Sequence, residues 1–131
     1  MIDCENEVFD RVKRRLEAEY PTAKCYSEYV RTPSSFPHVY LQMADNPINA
    51  ERTVGNTEYA LPMFQIEIYS NLVNGRKSEC KNIAKIIDDE MYSMNFERTS
   101  ATQVPNLDNA TVYRYVLRYS GETDGRFFYR R

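Results

Sequence analysis

The sequence carries a single histidine, His38, and that scarcity narrows the chemistry open to it. Acid-base and nucleophilic catalysis need polar groups that converge, and a cysteine nucleophile would depend on that same imidazole. His38 falls in a stretch that alternates like a strand, beside Tyr40 and Gln42 and opposite Val39, Leu41 and Met43, so it is expected to face solvent. The four glycines, at positions 55, 75, 121 and 125, are too dispersed to form a phosphate-cradling loop. Cys4, Cys25 and Cys80 are odd in number and include no Cys-x-x-Cys pair, which suggests neither a zinc site nor a disulfide framework. Cys4 and Cys80 lie on apolar helical stripes, where packing accounts for them. No apolar run approaches the ~20 residues that span a bilayer, and the acidic start Met1-Ile2-Asp3-Cys4-Glu5 lacks the basic and apolar regions of a secretion signal. A soluble chain made in a cytoplasm, with no membrane contact, is therefore expected. The net charge of -2 argues against a general nucleic-acid binder.

What is present suits one domain, residues 1–131, with 42% hydrophobic residues to form a core. Val8, Phe9, Val12 and Leu16 recur at helical spacing, predicting an amphipathic helix from Asp3, its N-cap, to Glu19, before Pro21. Ala23 to Val30 alternates without a strongly apolar face, as an edge strand would, and His38 to Ala44 reads as a half-buried strand. Residues 45–57 form a long polar loop, and Met63 to Asn71 a strand with Phe64, Ile66 and Ile68 inward. A second helix from Arg76 to Met94 carries the stripe Cys80, Ile83, Ala84, Ile87 and Met91. Strands follow at Phe96–Gln103 and Ala110–Ser120, separated by a turn over Pro105 to Asn109, and Gly121 to Arg131 reads as a polar C-terminal tail. The order α-β-β-β-α-β-β implies an α+β fold with both helices on one face of a mainly antiparallel sheet of four to five strands.

Candidate metal ligands do not survive this placement. Asp88, Asp89 and Glu90 are consecutive on a helix and point about 100° apart, so they cannot share one ion unaided. Glu67 lies on a central strand as in some metal-dependent nucleases, but Tyr69 stands two residues on, where a lysine would be needed. No cofactor or metal is expected, and no catalytic residue.

Three regions instead look built for contact. The loop offers Asn46, Asn49, Glu51 and Arg52. The second helix is charged against its dipole, with Arg76, Lys77, Lys81 and Lys85 toward its start and Asp88, Asp89 and Glu90 toward its end. Such polarity suits either a solvated face or head-to-tail contact between identical subunits. The C-terminal region has five arginines from Arg114 onward against Glu122 and Asp124, interleaved with aromatics. Arg114, Arg118, Phe127, Phe128 and Tyr129 are its interface candidates, since an exposed Phe-Phe-Tyr generally needs a covering partner. The same composition also fits an aromatic platform for single-stranded nucleic acid.

The succession Phe64-Gln65-Ile66-Glu67-Ile68-Tyr69-Ser70, Gly75-Arg76-Lys77, Ile83-Ala84-x-x-Ile87-Asp88, Met94-Asn95-Phe96-x-Arg98, Pro105-Asn106-Leu107 and Val112-Tyr113-Arg114-Tyr115-Val116-Leu117-Arg118-Tyr119 resembles the tail terminator, or tail completion, proteins of long-tailed bacteriophages and prophages. The likeness covers most of the chain and rests on strand and helix texture. It implies a virion structural protein that forms a homohexameric ring on the finished tail tube, ends tube polymerisation and offers a head-tail joining surface. The partners implied are further copies of the chain, the tail tube protein and a head-side neck or stopper protein, with DNA passing through the lumen without sequence-specific binding. No catalytic residue carries over. A single-stranded nucleic-acid-binding module that uses the C-terminal tyrosines and arginines is the alternative reading, and a metal-dependent nuclease ranks last.

Overall fold

The computed structural model describes residues 1–106 and 109–130. The chain runs through helix α1 (Glu5–Glu19), strands β1 (Lys24–Tyr26), β2 (His38–Asp45) and β3 (Met63–Ser70), then helix α2 (Arg76–Ser93). Strands β4 (Glu97–Gln103), β5 (Tyr113–Ser120), β6 (Glu122–Thr123) and β7 (Phe128–Tyr129) complete it. The fold is α+β, with five strands ordered β1-β2-β3-β5-β4, mainly antiparallel, and β6 and β7 paired separately. Among the described residues no helix is long and apolar enough to cross a membrane.

Both helices bury one stripe against one face of the sheet. Val8, Val12 and Leu16 of α1 and Cys80, Ile83, Ile87 and Met91 of α2 are almost wholly removed from water. They meet Val39 and Leu41, Phe64, Ile66 and Ile68, and Tyr113, Leu117 and Tyr119, alternate residues of the three central strands. At ~1.5 to 3 kcal/mol for each large apolar side chain, this contact is the main source of stability. Cys4 and Cys80 belong to the same core, and burial pushes their thiols up to about 11 and about 12.

The helix ends show where local chemistry acts. Asp3, the expected N-cap, lies one residue further out, because Cys4 occupies that position. Its carboxylate still accepts a hydrogen bond from the Glu5 N–H at 3.0 Å, one of the donors left free by the first turn. Gly75, at φ +87°, turns the chain into α2. At the far end Asn95 takes φ +66°, with its N–H on the Tyr92 carbonyl at 2.9 Å and the Phe96 N–H on the Met91 carbonyl at 3.0 Å. This pair of bonds is a Schellman closure, and asparagine is the residue other than glycine that tolerates it best. The Asn95 side chain donates onward to the Phe128 carbonyl at 2.8 Å.

The structure also departs from the sequence expectations along the strands, loop and tail, beginning with β5, which starts at Tyr113 and not at Ala110. The strand expected from Ala23 to Val30 is only Lys24–Tyr26, and it pairs with β2 in parallel, Lys24 opposite His38. Residues 27–37 carry the chain back along the sheet, and their Pro33 and Pro37 cannot donate to a ladder. His38 does not face solvent: it is 2% exposed, stacked on Tyr26 at 4.6 Å and met edge-on by Tyr69 at 5.9 Å. Burial holds its pKa below the usual histidine range. Residues 121–130, expected as a polar tail, fold back as the β6–β7 hairpin because Thr123 exchanges backbone hydrogen bonds with Ala60 at 2.8 and 3.0 Å. Phe128 packs on Phe96 at 5.4 Å. The loop of residues 45–57 is ordered by bridges between Ile48 and Ala60 and between Val54 and Thr57. In the expected turn from Pro105 to Asn109, Leu107 and Asp108 lie outside the described residues, as does Arg131.

Candidate functional site

The loop and the C-terminal hairpin, distant in sequence, form one corner of the molecule. Asn49 donates through Nδ2 to a Glu122 carboxylate oxygen at 2.7 Å, and the Arg52 guanidinium pairs with the other oxygen. Glu122 is 6% exposed, so its charge depends on these two donors. The guanidinium also lies against two rings, 4.2 Å from Tyr59 and 4.8 Å from Tyr129. The Tyr129 hydroxyl donates to Asp124 at 2.8 Å, and the N–H groups of Phe127 and Arg126 donate to the same carboxylate, each at 2.9 Å. Those bonds, the Phe127 amide foremost, lower the Asp124 pKa to about 2. Asn46 anchors the base of the loop, its Nδ2 donating to the Ile2 carbonyl at 2.6 Å. Of the interface candidates here, Asn49, Arg52 and Tyr129 come together in one intramolecular cluster. Glu51 stays exposed, and Phe127 is 59% exposed beside the half-buried Phe128.

On α2 the inverted charge pattern has a local explanation for its acidic half. Glu90 takes Arg11 at 2.8 Å and Arg15 at 3.3 Å, both from α1, so the carboxylate at the dipole's unfavourable end is neutralised by the helix packed beside it. Asp88 is held by Arg98 of β4 at 3.0 Å and accepts the Tyr119 hydroxyl at 2.7 Å. Burial first, and Asp88 second, keep that tyrosine far above its ordinary pKa. Among the described residues Asp89 pairs only with Arg15, at 3.8 Å, and its side chain is largely in water. The basic half is different. Arg76 donates to the Leu72 carbonyl at 3.3 Å, while Lys77, Lys81 and Lys85 are exposed and form no ion pair among the described residues.

Arg114 and Arg118 project from β5 on the sheet face away from the helices. Arg114 pairs with Glu67 of β3, which also accepts the Tyr69 hydroxyl at 2.9 Å and the Gln65 amide at 3.3 Å. Glu67 is 4% exposed, and burial followed by its charge pushes the Tyr69 hydroxyl well above the tyrosine range. Arg118 donates to Gln65 Oε1 at 3.2 Å. Sequence reasoning found these arginines but not their partner: the alternation put Glu67 outward, whereas long neighbouring side chains cover it. The buried Glu122 gave no advance signal. Its burial depends on the Ala60–Thr123 bridge, a long-range contact without a local motif.

Among the described residues no three histidine, cysteine, aspartate or glutamate side chains are placed to hold a metal ion. Burial pushes the Cys25 thiol up to about 12. The developed features are thus a loop-hairpin corner, a lysine-bearing helix beside an open strand edge, and a polar sheet face.

No protein-family model matches the sequence, and no characterised protein is significantly similar to it. Among solved structures, the fold is similar to that of a chain in the virion of a native gene transfer agent particle, with a TM-score of 0.56 at 13% identity. The alignment covers 83% of this chain and 88% of that one, so the likeness is one of whole-chain fold.

Proposed function

We propose that this chain is a structural virion protein of a long-tailed phage or prophage, one that assembles into a ring, caps the tail tube and presents a surface for head-tail joining. The observation that carries the reading is the whole-chain fold shared with a virion component. The sequence resemblance to tail terminators, made on independent features, supports the finer role. The loop tip at Glu51, the exposed Phe127 and the outer face of Asp89 are surfaces that neighbouring subunits could cover. Reading the C-terminal region as a nucleic-acid platform has less support. Tyr113 and Tyr119 are turned into the core, and Arg114 is committed to Glu67.

Native mass spectrometry and electron microscopy of the protein mixed with tail-tube subunits test the proposal. Six-membered rings at tube ends, with tubes that stop growing, are the expected result. A strict monomer that neither binds tube ends nor limits tube length would overturn it.

A further inference from the structure

The sheet ends on one side at β4, which among the described residues pairs only with β5 and leaves its outer edge open. Nearly all its residues are exposed, and no proline interrupts Glu97–Gln103. A register shift between Arg98 and Ser100 blunts its first half, whereas Ser100 to Gln103 pairs regularly with Arg118 to Tyr115. Open regular edges are pairing templates unless something covers them.

Beside this edge lies a groove of about 240 Å³ between α2 and the strands. Its rim carries Lys81, Lys85 and Arg98, and small and aromatic side chains line it at Ala84, Ala101 and Tyr115. Lys77, Lys81 and Lys85 follow one another at four-residue spacing, so they form a single ridge along the helix on that side. Asp88 closes one end of the groove through its pair with Arg98. Along the groove the lysines form no ion pair among the described residues, while Asp88 and Glu90 of the same helix are bound within the molecule.

We infer that the β4 edge and the lysine ridge of α2 together form a docking site for an extended acidic segment of a partner protein. The segment adds to the sheet as a sixth strand, through main-chain hydrogen bonds with Ser100 to Gln103. One set of its alternating side chains reaches the groove, with carboxylates on Lys81 and Lys85 and apolar groups against Ala101 and Tyr115. Main-chain pairing supplies affinity and the alternating side chains supply choice, as in other strand-addition sites. The occupant is acidic because the rim offers Lys81 and Lys85, which form no ion pair among the described residues, while Arg98 and Asp88 pair with each other.

The test uses the full chain and a synthetic peptide of about eight residues, a common strand length, whose one face carries glutamate and valine in turn and whose other face is threonine. A peptide with lysine in place of glutamate and a single-stranded DNA oligonucleotide serve as competitors. Fluorescence anisotropy should show binding of the acidic peptide alone, weakened about tenfold or more in Lys81→Glu/Lys85→Glu. Both positions are exposed, and an unchanged thermal transition would show that the variant folds. Hydrogen exchange should slow at those amides of 100–103 that point away from β5, a signature that charge attraction alone cannot give. Failure of the acidic peptide to bind, binding without that protection, or preferential binding of DNA would each overturn the inference. None of these outcomes bears on ring formation.

Discussion

Glu67 shows how much one side chain can demand of its surroundings. It sits on the central strand, almost out of water, with its charge met by Arg114 and its remaining acceptor capacity used by Tyr69 and Gln65. Removing one partner of such a pair is costlier than removing both, because the survivor keeps a desolvated charge. Glu67→Met should therefore lower stability by about 2 to 3 kcal/mol, less than the ~3 to 5 for a fully buried pair because Arg114 keeps some access to water. Glu67→Met with Arg114→Met should recover part of the loss, and urea unfolding of both variants checks it. Gly121 sets a steric limit of another kind. A Cβ there would stand 2.6 Å from the Phe96 ring, which Phe64 and Phe128 hold from two sides. Gly121→Ala should cost about 1 to 3 kcal/mol, the range for overpacking a filled core, and a lowered melting temperature with unchanged far-ultraviolet dichroism would show it.

At the scale of elements, the strands and helices that carry the core were legible in the sequence. Their apolar residues repeat at a period of two or of about three and a half, and the residues that join the helix-sheet core follow that period in α1, α2, β2, β3 and β5. What was not legible depends on contacts between distant residues. Nothing near Phe128 or Tyr129 announces a hairpin, whose partners are Ala60, Phe96 and Arg52. Likewise β1 is parallel because 27–37 turns back, and His38 is enclosed by rings from two other segments. The three interface regions could be named but not their internal pairings, since opposite charges in a linear sequence do not reveal which will meet. The hairpin has a pH signature of its own. Asp124 has a folded pKa of about 2, below the ordinary ~3.9 of an aspartate, so its stabilising bonds are intact above that ordinary value and are lost as pH falls toward 2. Amide exchange at Arg126 and Phe127 should accelerate across that window, and Asp124→Asn should abolish the dependence.

For the whole molecule, the pairing of acidic residues within the subunit redirects the search for contacts between subunits. Reversing Asp88 would break its bonds to Arg98 and Tyr119 and so confuse folding with assembly. Asp89 is the cleaner probe: its side chain is 72% exposed and its ion pair with Arg15 is long. If the proposed ring uses the acidic end of α2, Asp89→Lys should shift native mass spectra from rings toward monomers while leaving the melting temperature within about 1 °C, as for most exposed substitutions. Unchanged ring populations would move the interface to another surface. The Glu67–Arg114 pair also has a consequence for how the chain reaches its fold. The two residues meet because β3 and β5 pair with Tyr69 opposite Arg114. A slip of two residues would keep every apolar side chain facing the helices, so the hydrophobic pattern alone would not reject it. Either slip would also set an arginine directly opposite Glu67, Arg114 in one direction and Arg118 in the other, so charge alone would not reject it either. Close packing of unlike side chains in the core is therefore left to select the native strand alignment among near-native sheets.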